Sequence, residues 1–197
     1  QALDMAGSEL FRFLREAFAL DVAGVYRPFR EIAEGTLEVL LVEHGMPVDR
    51  ERIDRILGGF GELQPHPDVE PAMRMLVEAG VRMVALTNGS GENTWKLFRN
   101  AGLDSHIERV ISVDEVQRWK PSREVYLHAA TVVGVPPEDL SLVAVHAWDV
   151  MGAAKAGLGA AWVARKEKAL PSFAARPDVV GATLVDVVAS LLKLPAK

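Results

Sequence analysis

The stretch V-R-M-V-A-L-T-N-G-S, Val81 to Ser90, constrains the architecture more than any other. Five of its first six residues are apolar, the pattern of a strand covered on both faces in a parallel sheet. Parallel neighbours need crossover connections, most often helices, so the surrounding chain must alternate strand and helix. The run ends in Thr87-Asn88-Gly89-Ser90, a polar cluster where the strand has to turn. Ligands of open α/β sheets bind at the carboxyl ends of strands, so this cluster is a site candidate.

The C-terminal two thirds follow the same rhythm. Spacing and glycine stops predict helices at Val69 to Ala79, Glu92 to Ala101, Pro121 to Val133, Trp148 to Ala156 and Leu184 to Leu192. Strands are predicted at 82–87, Arg109 to Val113, Leu142 to Val145, Ala160 to Ala164 and Val179-Val180. This implies an α/β fold: a parallel, Rossmann-like sheet with helices on both faces.

The first third differs. Leu10, Phe13, Leu14, Ala17 and Phe18 form a helical stripe over Ser8 to Leu20, with no clear periodicity in residues 1–7. Gly24 to Pro28 reads as a turn, with Pro28 at a first helical position. A helix is predicted from Phe29 to His44, and Asp49 is placed to cap a short one through Leu57, stopped by Gly58-Gly59. Leu63-Gln64-Pro65-His66-Pro67 then interrupts helix. The expected division is a small all-helical cap at 8–62 and an α/β core at 66–197, with a cleft between them over the sheet edge.

Composition narrows the classes of function. A net charge of −5 without a basic block argues against nucleic acid as partner. The absence of cysteine excludes disulfides, thiolate zinc sites and a cysteine nucleophile, and fits a reducing, cytoplasmic compartment. The most apolar region, Ala153 to Ala164, is broken by Lys155, Gly157 and Gly159 and cannot span a bilayer. The N-terminus lacks a basic-then-apolar leader pattern.

Three polar clusters fall at successive strand ends: Thr87-Asn88-Gly89, Lys120 in R-W-K-P-S-R-E-V-Y, and His146-Ala147-Trp148-Asp149. Taken singly, each has a plain structural reading. Thr-Asn is a helix cap, Lys120 a solvated loop cation, His146 a hydrogen-bonded rim histidine, and Asp149 an acid complementing a helix dipole. Their occurrence in this order at one sheet edge favours a shared site.

The three motifs together resemble the haloacid dehalogenase superfamily. L-T-N-G-S is similar to its second motif, K-P-S-R-E-V-Y to its third, with Lys120 as signature lysine, and A-W-D-V-M-G-A-A-K-A-G to its fourth, with Asp149 as distal acid. The K-P-x-x-x-V-Y spacing and the A-W-D triplet resemble type II (L-2-haloacid) dehalogenases, and Y-R-P-F resembles their cap more weakly. The resemblance implies a hydrolase that cleaves the carbon–halogen bond of a short 2-halo carboxylic acid through an aspartyl ester. Phosphatases of the superfamily carry an additional magnesium-binding acid where this chain has Val145, so magnesium is not expected, nor another metal or cofactor. A phosphatase and a non-catalytic binding protein are the alternative readings.

The resemblance also assigns roles. Lys120 would hold the nucleophile's carboxylate, Thr87, Asn88 and Gly89 would bind the substrate carboxylate, and Asp149 would orient Lys120 or the hydrolytic water. Arg12, or alternatively Arg15, would accept the halide. Phe29 and Trp148 would form an apolar wall, with Tyr126 supporting the site. His146 stands where such dehalogenases carry asparagine, and Ala144 where they carry serine, so His146 is a candidate base near neutral pH. A small-molecule substrate is the implied partner, and a homodimer is compatible with the resemblance. The family's nucleophile, an aspartate ending the first central strand, has no counterpart: Asp4 has too few residues before it, and Gly35-Thr36-Leu37 lies in a helix pattern. The chain is therefore expected to be N-terminally incomplete, with a slot left open between the neighbouring strands.

Overall fold

The computed structural model describes residues 2–195, with side chains from Arg12 to Pro195. The side chains of Asp4 and Leu10 lie outside the described ones. Helix α1 runs from Ala2 to Val22, α2 from Phe29 to Glu43 and α3 from Arg50 to Gly58. A 3₁₀ turn at Gly59–Glu62 carries the chain to the Pro65–Pro67 crossing. Thus α1 begins earlier than Ser8, and Gly58-Gly59 passes into a tighter helix instead of stopping the chain. Pro28 caps α2 from outside rather than occupying its first turn, and the Asp49 carboxylate accepts from Glu51 N–H at the head of α3. Gly35, Thr36 and Leu37 lie inside α2, where the Thr36 hydroxyl bonds back to Ile32 O.

The helices bury an apolar cluster that includes Phe13, Ala17, Ile32, Leu41, Ile53 and Leu57. One member comes from far along the chain. Trp119 has no exposed surface and packs edge-on against Phe13, with ring centres 5.6 Å apart.

Beyond the crossing, α4 (Val69–Glu78), α5 (Gly91–Asn100), α6 (Arg123–Val133), α7 (Ala147–Ala156) and α8 (Leu184–Leu191) alternate with five strands. These are β1 (Val84–Thr87), β2 (Arg109–Ser112), β3 (Ser141–Ala144), β4 (Gly159–Val163) and β5 (Val179–Gly181). All pairings are parallel, but the strands form two sheets, β1-β2 and β3-β4-β5. β4 is buried along its whole length, whereas the equally apolar β1 and β3 are only partly covered. Those two strands still share a packed layer: Leu86 and Leu142 both lie against a cluster built on Tyr126, Ala153, Ala156 and Leu158. β1 begins at Val84 rather than Arg82 because its partner β2 begins at Arg109, the residue paired with Val84. This is the α/β architecture expected from the alternation, with its short parallel strands in two groups.

Small residues let α7 sit close to its neighbours. A methyl group on Gly152 would come within 2.6 Å of the Tyr126 hydroxyl and 2.7 Å of Pro121 Cβ. Gly157 closes α7 in the left-handed region, at φ 97°, where a side chain would be strained.

Candidate active site

The ends of β1 and β3 and the loop after β2 converge on Lys120. It is only 7% exposed and Asp149 only 6%, so their charges are held out of water together. The Lys120 ammonium donates to Asp149 Oδ2 at 2.7 Å and to Leu86 O, on β1, at 3.2 Å. An ammonium has three hydrogens. Among the described residues two have acceptors, which leaves one for an anion. Asp149 stands in the first turn of α7. Its other oxygen, Oδ1, accepts from the Tyr126 hydroxyl at 2.7 Å. Burial and the adjacent Asp149 charge push the Tyr126 phenol far above its ordinary pKa, so it stays a donor.

The residues after β1 are also partly engaged. Thr87 Oγ1 accepts from Gly89 N–H at 2.9 Å, and Asn88 Oδ1 accepts from Lys120 N–H at 3.1 Å. A hydroxyl and a carboxamide that among the described residues serve only as acceptors still have hydrogens to give. The helix cap expected of Thr87-Asn88 falls instead to Ser90, whose hydroxyl accepts from Asn93 N–H at the head of α5. The Ser112 hydroxyl, at the end of β2, donates to Gly89 O at 2.8 Å and fixes this turn from behind.

His146 lies at the rim. Its Nδ1 is 3.2 Å from Glu167 Oε1, and Glu167 Oε2 accepts from Ala147 N–H at 2.9 Å. The imidazole stacks on Trp148 at 5.7 Å, and Trp148 meets Phe18 of α1 edge-on at 5.2 Å. A cavity of about 370 Å³ opens beside them, lined in part by His66, Val143, Val145, His146, Asp149 and Arg165. Thr87, Asn88 and Lys120 do not line it; Asn88 is linked to it through Lys120 and Asp149, and Thr87 bonds to the neighbouring Gly89 N–H.

Two residues assigned to the substrate lie elsewhere. Arg12 is paired with Glu43 at 2.8 Å and lines a different cleft with Arg15, Arg27 and Glu31 on the helical side. Phe29 packs into the helical cluster, 4.8 Å from Phe13 and 5.7 Å from Phe60. Several contributors were missed in sequence. Ser112 carries a signal, since Ser112-Val113-Asp114-Glu115 has the capping-box pattern that the structure realises. Glu167 and the carbonyl of Leu86 carry none.

Magnesium needs several oxygen ligands, and among the described residues Val143, Ala144 and Val145 offer no side-chain oxygen before His146.

Proteins named as dehalogenases are similar to this chain in sequence and in fold. An (S)-2-haloacid dehalogenase of Pseudomonas putida is 29% identical over 164 residues, 83% of this chain and 72% of that protein. Haloacetate dehalogenase H-2 of Moraxella sp. (strain B) is 28% identical over 165 residues, 84% of this chain and 74% of the relative. The structure of L-2-haloacid dehalogenase from Xanthobacter autotrophicus superposes with a TM-score of 0.88, covering 95% of this chain and 85% of that one at 24% identity, which shows the shared fold. Residues 7–157 match the family described as haloacid dehalogenase-like hydrolase. That match takes in both the helical segment and the strand ends holding Lys120 and Asp149, and the chain belongs to the haloacid dehalogenase-like hydrolases.

Proposed function

We propose that the protein hydrolyses short 2-halo carboxylic acids, releasing halide and the corresponding 2-hydroxy acid. The observation that carries this reading is the buried Lys120 ammonium, fixed between Leu86 O and Asp149 with one hydrogen left for an anion. The dehalogenase names of relatives at 28–29% identity support the substrate class.

In this reading an aspartate on a strand seated between β1 and β3 attacks C2 of the substrate and displaces halide. The half-covered apolar faces of β1 and β3 support that position. The resulting ester is cleaved by water at its carbonyl carbon, which returns the aspartate. Lys120 holds the aspartate's carboxylate and offsets charge on the ester. Thr87 and Asn88, each with a donor to spare, bind the substrate carboxylate. Asp149, held at both oxygens by Lys120 and Tyr126, orients the lysine. His146, oriented by Glu167, takes a proton from the hydrolytic water. Arg12 would reach the halide only after leaving Glu43.

We place the enzyme in the cytoplasm, in keeping with its lack of cysteine. We also propose a homodimer, supported by the exposed Val39, Val42 and Val48 on and after α2.

Assay of the full-length protein tests the activity. Halide release from 2-chloropropionate without added metal is expected, and it should fall to a small residual rate in Lys120→Ala. Magnesium-dependent hydrolysis of p-nitrophenyl phosphate without halide release would replace this reading with a phosphatase.

A further inference from the structure

Asp21, in the last turn of α1, gathers four donors from one short loop. Its Oδ1 accepts from Arg118 Nε at 2.9 Å and from Trp119 N–H at 2.8 Å. Its Oδ2 accepts from Arg118 Nη2 at 3.1 Å and from the Ser122 hydroxyl. The side chain is only 10% exposed, and the guanidinium is gripped in the two-pronged geometry that carboxylates favour. The bound residues, 118, 119 and 122, bracket Lys120.

The same loop is pinned twice more. Trp119 Nε1 donates to Arg27 O at 3.1 Å while its ring fills the interior of the helical segment. Lys120 N–H is held by Asn88 Oδ1. Just upstream, Gln117 adopts a φ of 54°, a sparsely populated conformation for a residue with a side chain. A loop tied at both ends and kinked at its entry cannot shift one residue alone. Moving the helical lid therefore moves the lysine.

We propose that Asp21 is a positioning residue, a latch that seats the helical lid and fixes Lys120 in one act. The assignment rests on the dehalogenase reading for its reaction, and on the hydrogen-bond geometry for its mechanics. A purely structural role is the competing explanation, and a double-mutant cycle separates the two, because only a residue acting through Lys120 loses its effect once the lysine is gone.

The experiment uses the full-length protein and 2-chloropropionate. Asp21→Ala should lower kcat by about a hundredfold, the scale of a misplacement of roughly 1 Å, with KM changed by no more than about threefold. Asp21→Asn, which keeps one acceptor oxygen for Trp119 N–H and loses the one that met Ser122, should fall between it and the wild type and serves if the alanine variant does not fold. In a Lys120→Ala background, with residual turnover followed by ion chromatography, the Asp21 substitution should add nothing. An unchanged kcat, or the same loss in both backgrounds, overturns the latch. If the wild type releases no halide, the dehalogenase reading fails and hydrogen exchange decides the latch. Faster exchange of the Trp119 indole and the Lys120 amide, neither of which bonds Asp21, in Asp21→Asn then supports it, and unchanged exchange overturns it.

Discussion

Tyr126 shows how much a single hydroxyl can control here. It has no exposed surface, and its O–H is the donor that meets Asp149 Oδ1. Replacing it with phenylalanine leaves the ring's packing intact and strips the buried carboxylate of one partner. Tyr126→Phe should destabilise the protein by about 1–3 kcal/mol in urea denaturation, the cost of leaving a buried polar group unmet. It should also slow turnover, because Asp149 can then swing away from Lys120. The lysine, the acid and the tyrosine were all legible in sequence, since each stands in a motif at a strand end or on the following helix. Asp21 was not, because its partners lie 97 to 101 residues away and nothing local marks it. Trp119 reads as a loop aromatic beside a lysine. Only the tertiary fold reveals that it belongs to the interior of a distant group of helices.

At the level of elements, the closeness of α6 and α7 is set by Gly152, which leaves room for the Tyr126 hydroxyl and the Pro121 ring. Gly152→Ala forces a methyl group into that space. A cost of about 1–3 kcal/mol is expected, typical of overpacking, and thermal melting measures it. Turnover should fall as well, since the displaced atom is the one that holds Asp149. The glycine stops at 134 and 157 were readable because each ends an apolar stripe and adopts the left-handed conformation that glycine tolerates best. Strand lengths were less readable. The pattern at 82–87 is apolar from Met83 onward, but pairing decides where a strand begins: the paired register starts at Val84 with Arg109, and one bond, from Glu108 N–H to Met83 O at 2.8 Å, precedes it. The start of α1 is hidden for the opposite reason: residues 2–6 include alanine, leucine and methionine, strong helix formers, without an apolar period to announce them.

Across the whole molecule, two acids tie distant parts of the chain together. Asp21 joins α1 to the loop at 118–122. Asp68, just past the Pro65–Pro67 crossing, accepts from Leu184 N–H at 2.7 Å and pairs with Arg165. Burial pushes both carboxyls up, but the hydrogen bonds outweigh it and leave each below the ordinary 3.8. A carboxyl depressed in the folded state adds stability that is complete above its unfolded value and lost as pH falls through its folded one. The urea midpoint should therefore decline as the solution is acidified below about pH 4, and the double variant Asp21→Asn, Asp68→Asn should show a shallower decline from a lower starting point. An unaltered acid profile in the double variant would mean that other groups govern the transition.

Trp119 is a light source as well as a wedge. Its indole is sealed from water and covalently next to the lysine of the site. With Trp95, Trp148 and Trp162 replaced by phenylalanine, its emission would redden whenever the helices above it lifted. Each opening could then be timed in a stopped-flow cuvette, with the protein as its own dye.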